Sequence, residues 1–337
     1  MTSPAIVVVI VNFNAGDLLS ATVKGLARQM LPPSRVIIVD NASSDGSAQQ
    51  AMAHLPGIEL LALEHNVGFA AANNKGAALA ANCDWIALLN PDAVPEPDWL
   101  LRMSEAIAEF PDVAVFGALL VDMEHPELLD GAGDVLHVGG LAWRHLHGRP
   151  CAEAPTGPVE IFSPCAAAAL YRRAEWDAAG GLDESFFCYF EDIDLAFRIR
   201  LMGGRCLLIP AAVVHHHGSA VTGRESDFTI YHSHRNLVWV WARDMPFPLI
   251  VRGLVHHILI TLLTFGFYAS RGQAGVLARA KRDALAGLPR VLRERRRLQR
   301  TRRVSPAAID RVLGHGTGLY RTALERARRR PEVGDGR

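Results

Sequence analysis

The sequence predicts an α/β protein, a mostly parallel sheet with helices on both faces, followed by a C-terminal helical extension. Three observations carry that prediction. Short, continuous apolar runs recur through residues 1–120, and strands buried on both faces of a parallel sheet read this way, without polar alternation. Between the runs lie segments long enough for helices, which is the β-α-β order of a doubly wound domain. A polar cluster follows each of the first four runs, on the rim where open α/β sheets bind their ligands.

In chain order, strands are expected at Ile6–Val11, Val36–Val39, Ile58–Leu63, Trp85–Leu89 and Val113–Leu119. Helices are expected at Asp17–Gln29, Ser44–His54, Ala70–Ala81 and Pro97–Phe110. Asp17 and Ser44 suit N-caps, and Pro97 suits the first helical position. Residues 121–160, with several Gly, Pro and His, read as an irregular region with hairpins. From Ile161 to His217 come an apolar run around Cys165–Tyr171, an acidic helix start at Glu191-Asp192-Ile193-Asp194, and a strand ending in His215-His216-His217. The expected division is a domain over 1–230, a helical, apolar then Arg-rich region over 231–330, and a disordered tail over 331–337.

Composition removes several classes. Of 337 residues, 50% are apolar and 21% charged, which excludes a mainly disordered chain. Gly and Pro are spread out rather than repeated, so no fibrous class fits. Five cysteines without a CxxC pair are too sparse for a disulfide scaffold and read as reduced, cytoplasmic thiols. No basic segment precedes the apolar Ala5–Val11, and Asn12 and Asn14 interrupt it, so a first strand is expected there rather than a secretory signal.

The net charge of zero hides an asymmetry. Residues 270–330 carry 18 Lys and Arg against 4 Asp and Glu, while residues 1–269 carry 16 against 29. An acidic body with a basic tail points to a polyanionic surface as partner. No nucleic-acid recognition motif accompanies the tail, so an anionic membrane is the expected surface. Leu249–Ala269 is strongly apolar but holds Arg252, His256 and His257. A spanning helix needs roughly 20 uninterrupted apolar residues, so an interfacial helix is expected. A helix packed on the body is the plainer reading of the same segment.

The strand-end clusters are Asn12–Asn14, Asp40–Asp45, Asn66–Gly68 and Asn90–Asp92. Asn, Asp, Ser and Gly are also ordinary turn residues, but four clusters on one rim point to a ligand. A carboxylate at Asp40 can accept the ring N–H of uracil or thymine. One at Asp92 can hold Mg²⁺ or Mn²⁺ together with substrate phosphates. In Glu191-Asp192-Ile193-Asp194, acids in a helix's first turn are favoured by the macrodipole, and Asp194 suits that plain role. Asp192 suits a general base facing an acceptor hydroxyl. Three consecutive His on a strand cannot face one ion, because side chains alternate, and no HExxH spacing supports a zinc hydrolase.

Taken as an ordered set, Val8–Asn14, Val39–Ser47, Asn66–Phe69 with Asn74-Lys75-Gly76, Leu89-Asn90-Pro91-Asp92, Gly181–Glu184, Tyr189–Leu195 with Arg198, and Val214-His215 resemble glycosyltransferase family 2. The likeness covers residues 5–220, is greatest to the rhamnosyltransferase-like members, and implies their GT-A fold, a Rossmann-like sheet. It implies a single inverting displacement, with Asp192 as catalytic base beside Glu191. Asp40 would contact the pyrimidine of a dTDP- or UDP-sugar, with Asn12, Asn14, Asn41, Asn66, Gly68, Asn74 and Asn90 as further donor contacts. Asp92 and His215 would hold the metal, Mg²⁺ or Mn²⁺, with His217 as an alternative to His215. Asn90 stands where the family's DxD-type motif has a first carboxylate.

The QxxRW motif of processive synthases is absent, and Tyr231-His232-Ser233-His234-Arg235-Asn236 stands in its place, as in enzymes that add one sugar. The function implied is transfer of a sugar, rhamnose from dTDP-rhamnose, onto a glycan or polyprenyl-linked acceptor at the inner face of the plasma membrane. A pyrophosphorylase would need a Gly-rich, Arg-containing loop after the first strand, which Asn12–Gly16 lacks. The Asn90 substitution leaves a degenerate nucleotide-sugar-binding module as the alternative.

Overall fold

A computed structural model describes residues 4–218 and 226–316; the tail expected at 331–337 lies outside the described residues. The strands are β1 (Ile6–Asn12), β2 (Arg35–Asp40), β3 (Glu59–Ala62), β4 (Trp85–Leu89), β5 (Ala93–Pro95), β6 (Val115–Asp122), β7 (Leu129–Gly131), β8 (Asp134–Leu136), β9 (Ala142–Arg144), β10 (Val159–Glu160), β11 (Ala168–Arg172) and β12 (Cys206–His216). The helices are α1 (Asp17–Ala27), α2 (Ser47–Met52), α3 (Phe69–Leu79), α4 (Trp99–Glu109), α5 (Arg173–Ala179), α6 (Glu191–Leu201), α7 (Asp227–Asp244), α8 (Phe247–Ala269), α9 (Ala274–Thr301) and α10 (Pro306–Asp310).

The main sheet runs β10-β12-β6-β11-β4-β1-β2-β3, with β5 beside β12 and β7 beside β6. β3, β2, β1 and β4 are mutually parallel, and β6 and β12 pair parallel to each other. β11 inserts antiparallel between β4 and β6. The chain reverses its strand order between β1 and β4, and the cleft opens at the carboxyl ends there.

The unbroken apolar runs have a direct cause. In β1, Ile6, Val8 and Ile10 pack against α1, α2 and α4 on one face. Val7, Val9 and Val11 pack against α3, α5 and α6 on the other. Both faces are dry, so no position in the strand can be polar until Asn12.

Helix starts differ from expectation. Asp17 is the first helical residue, after Gly16. Ser44 lies upstream of α2, which begins at Ser47 after Gly46 in the left-handed region, φ 72°; the Ser44 N–H donates to Asn14 Oδ1 at 2.8 Å. Pro97 precedes α4, which starts at Trp99; the Pro97 carbonyl accepts Met30 N–H at 2.7 Å. The irregular region contains β7 and the β8–β9 hairpin.

A third apolar cluster joins α7, α8, α9 and α10 to the body, with Trp239, Trp241 and Leu249 packed together with Leu136, Phe186 and Phe197. By length and composition α8 is apolar enough to cross a membrane, with mean hydropathy 1.7. Three of its polar residues are engaged by the rest of the protein, Arg252 from an exposed position. Arg252 is paired with Asp310, His257 stacks on Trp241 with ring centroids 4.0 Å apart, and His256 lies 5.5 Å from the His137 ring. Gly253 allows the close approach, since a Cβ there would stand 2.2 Å from the Val138 carbonyl oxygen. Val251, Val255, Ile258 and Leu262 point outward and are exposed.

Candidate active site

A cleft of about 750 Å³ opens at the carboxyl ends of the strands, within the size range of small-molecule sites. One wall carries Asn90, Asp92 and His216, and another carries Glu191 and Asp192. The segment Cys165–Ala167 links them. Ala166 N–H donates to Asp192 Oδ2 at 3.0 Å, and the Ala167 carbonyl accepts Asn90 N–H at 2.9 Å.

On the first wall, β5 pairs antiparallel with the end of β12 so that His216 lies opposite Ala93, one residue from Asp92. His216 Nε2 is 3.3 Å from Asp92 Oδ1 and its Nδ1 is 2.7 Å from Asp130 Oδ2. Burial alone would favour the neutral ring, but these two carboxylates outweigh it and raise the His216 pKa. His215, the expected ligand, faces the opposite side, where Nε2 meets Glu96 at 2.7 Å. That expectation is corrected: strand alternation assigns the cleft to His216. His217, the alternative, has its Nδ1 3.9 Å from Glu124.

A divalent cation is a fair occupant for these donors. Asp92 supplies a carboxylate and His216 an imidazole nitrogen, and the buried Asn90 Oδ1 has no hydrogen-bond partner. Carboxylate and carbonyl oxygens suit Mg²⁺ and Mn²⁺, with imidazole an acceptable addition for manganese.

Asp192 is the second residue of α6. Its Oδ1 accepts the Ile193 N–H at 2.8 Å, and burial raises its pKa. Glu191 is buried with Oε2 unpartnered; burial first, then the Asp192 charge, lifts its pKa well above the ordinary value. Asp194, expected only as a first-turn acid of the helix, is wholly buried between Arg198 and Arg243.

The turn before α6 is strained. Phe187, Tyr189 and Phe190 have φ of 65°, 72° and 67°, a left-handed region that non-glycine residues enter at a cost. α7 holds this turn in place. Asn236, fully buried, donates from Nδ2 to the carbonyls of Phe186, Cys188 and Tyr189 at 3.1, 2.9 and 2.8 Å. Arg235 Nη2 donates to the carbonyls of Ser185 and Phe186. The C-terminal helices thus fix where Asp192 stands.

The expected donor contacts divide into three groups. Asn41, Asn66 and Gly68 line the cleft with Asn90. Asn41 Nδ2 donates to Asn66 Oδ1 at 2.9 Å, and Gly68, with φ 87°, leaves no room for a Cβ, which would lie 2.6 Å from Phe187. Asn12, Asn14 and Asp40 form a clamp beside the cleft. Asn12 Nδ2 donates to Asp40 Oδ1 at 2.9 Å and Ser47 Oγ at 2.8 Å, while Asn14 binds Ser43 and Ser44. Asn74 is a correction: it faces away, with Nδ2 on the Leu182 carbonyl and Oδ1 on the Leu182 N–H, because this face of α3 packs on the turn at 182–184.

The sequence reading missed Asp130, Asp134, Arg144 and Cys165 in the cleft wall, all from segments with no periodic signal or a plain apolar run. Burial, then the Asp192 charge, pushes Asp134 up to about 8. Ligand atoms of Asp134, Cys165 and Asp192 lie within 4.8 Å of one another, but Arg144 Nη2 already donates to Cys165 Sγ at 3.0 Å. For Asp130, burial opposes ionisation, yet Arg144, His147 and His216 hold its carboxyl well below the usual range. None of the five cysteines is bonded to another.

Residues 7–147 match the family described as glycosyl transferase family 2. The N-acetylglucosaminyl-diphospho-decaprenol L-rhamnosyltransferase of Mycobacterium tuberculosis is 28% identical over 241 residues, 65% of this chain and 78% of that one. The pre-mycofactocin glycosyltransferase of the same organism is 29% identical over 301 residues, 87% of this chain and 58% of that one. Among solved structures, GalNAc-T7 with UDP, GalNAc and Mn²⁺ aligns with a TM-score of 0.57 at 17% identity, over 71% of this chain and 48% of that one. The mannosyltransferase PcManGT from Pyrobaculum calidifontis with GDP-Man and Mn²⁺ aligns with a TM-score of 0.53 at 17% identity, over 93% and 86% of the two chains. At such identities the structures speak for the fold.

Proposed function

We propose that this chain, a glycosyltransferase of family 2 with the GT-A fold, moves one L-rhamnosyl unit from dTDP-rhamnose onto a polyprenyl-linked or cell-envelope glycan, with inversion. The observation that carries the reading is one cleft holding both a carboxylate suited to a general base, Asp192, and an Asp92–His216 pair suited to a cation. The sugar and the acceptor class follow the similarity to the N-acetylglucosaminyl-diphospho-decaprenol L-rhamnosyltransferase.

In this mechanism the acceptor hydroxyl oxygen attacks the anomeric carbon opposite the nucleotide diphosphate. The new C–O bond forms as the bond to the diphosphate breaks, the bonding pair leaves with the diphosphate, and the hydroxyl proton passes to Asp192. One displacement inverts the anomeric configuration. A cation bound by Asp92 and His216, with Asn90 Oδ1 alongside, would offset the charge of the departing diphosphate. The hydrogen-bonded pair Asn41 and Asn66 shapes the donor side of the cleft.

The test begins with thermal unfolding in dTDP, UDP and GDP, each with and without Mn²⁺ or Mg²⁺. A ligand at 100 times its dissociation constant adds about 2.7 kcal/mol. Metal-dependent stabilisation by dTDP, followed by rhamnosyl transfer to a polyprenyl-diphosphate glycan with an inverted anomeric signal, is the expected result. Stabilisation by GDP alone would sink the donor assignment. Nucleotide binding without transfer from any donor would favour the degenerate binding module.

The same reading sets the protein peripherally on the cytoplasmic face of the plasma membrane. Support comes from the outward apolar face of α8 and from the exposed Arg282, Arg293, Arg296 and Arg300 of α9. Each such cation near an anionic surface contributes about 1 kcal/mol. The protein is expected to co-sediment with phosphatidylglycerol vesicles, and Val255→Glu with Leu262→Glu to abolish it. Equal pelleting of the double variant would refute the membrane assignment.

A further inference from the structure

Asp130 has no step in the mechanism above, yet it is the hub of the cleft's polar wall. It is the middle residue of β7 and only 1% exposed. Its Oδ2 meets both Arg144 Nη1 and, at 2.7 Å, His216 Nδ1. Its Oδ1 is 3.5 Å from His147 Nδ1. A guanidinium has donors and no acceptor, so Oδ2 accepts there, and the imidazole nitrogen facing the same oxygen must carry its proton.

A neutral ring with the proton on Nδ1 keeps its lone pair on Nε2. That is the atom 3.3 Å from Asp92 Oδ1 and 3.5 Å from Asn90 Nδ2. We infer that Asp130 is a positioning residue of the metal site: it sets the tautomer and orientation of His216 so that Nε2 is offered to a divalent cation beside Asp92. This rests on the metal reading given under the proposed function. The plainer alternative is that Asp130 only neutralises the half-buried Arg144, in which case metal affinity would not depend on it.

Carboxylate partners of metal-bound histidines change metal affinity by about 10–100-fold when removed. The experiment is a titration of the full chain with Mn²⁺ alone, following free ion by electron paramagnetic resonance. Asp130→Asn is expected to weaken binding about 10–100-fold, His216→Ala at least as much, and His215→Ala not at all. Because Asp130 acts through His216, the double variant should bind no worse than His216→Ala, and dTDP affinity in chelator should match wild type.

Wild-type Mn²⁺ affinity in Asp130→Asn, or losses that add in the double variant, would overturn the inference and leave the metal reading standing. A wild-type chain that takes up no Mn²⁺ would overturn both. Should Asp130→Asn not fold, the wild-type protein itself decides by nitrogen-15 NMR of the His216 ring with Mg²⁺ bound. A proton on Nδ1 supports the assignment and one on Nε2 overturns it.

Discussion

Asp192→Asn is expected to lower transfer by about 10²–10⁴-fold, the usual worth of a general base, while dTDP binding is retained. Asn is nearly isosteric, and Oδ1 can still accept the Ile193 N–H, so the start of α6 should persist. The amide has no basic oxygen for the acceptor's proton. The wild-type pH profile gives a second reading of the same group. In the proposed mechanism Asp192 acts in its ionised form, and burial raises its pKa. Activity should therefore fall on acidification at a pH above the ordinary aspartate value of about 3.9. Unchanged transfer in the variant, measured with saturating donor, would remove Asp192 from the mechanism.

Arg243→Ala is expected to produce the largest loss of stability, about 3–5 kcal/mol, because it strips the partner from buried carboxylates. Arg243 is itself buried and reaches four acids: Asp194, Asp183 at 2.5 Å, Asp244 at 2.9 Å and Glu294 at 3.0 Å. Asp194 and Asp244 are wholly buried. Against burial, Arg243 holds Asp183 down to about 2. A depressed folded-state pKa contributes stability that is present above the unfolded value, about 3.9, and lost as pH falls toward 2. The variant should lose that part of the acid dependence as well as stability at neutral pH. Urea unfolding at several pH values measures both. A loss under about 1 kcal/mol, the scale of an exposed pair, would show that the cluster does not hold the helices to the body.

That cluster also changes how the C-terminal region is understood. Arg243 ties α7 and α9 to Asp194, two residues from Asp192 in α6, and Asn236 holds the strained turn just before α6. Composition shows residues 270–330 only as a basic tail. Folded, α9 within that tail supplies Glu294 to Arg243, and α7 braces the turn that leads into Asp192. In α8, Arg252, His256 and His257 read in sequence as interruptions of an apolar helix, whereas folded the two histidines pack on the body and the exposed Arg252 pairs with Asp310. Local spacing carries no record of which partner each would meet.

What could be read directly from the residues was whatever depends on near neighbours. Continuous β-branched runs gave buried strands because both faces of β1 are covered. Polar residues at strand ends marked the rim, and Asp92, Glu191 and Asp192 do line the cleft. Long-range pairing decided the rest. Alternation says that His215 and His216 face opposite sides, but the choice between them came from the register of β12 on β5. Asn74 was drawn away by the turn at Leu182, 108 residues further on. Asp130 and Arg144 came together only when β7 and β9 folded over the cleft. Strand period and turn chemistry are set by the backbone within a few residues, whereas the partner of a buried charge is set by which distant segment desolvates it.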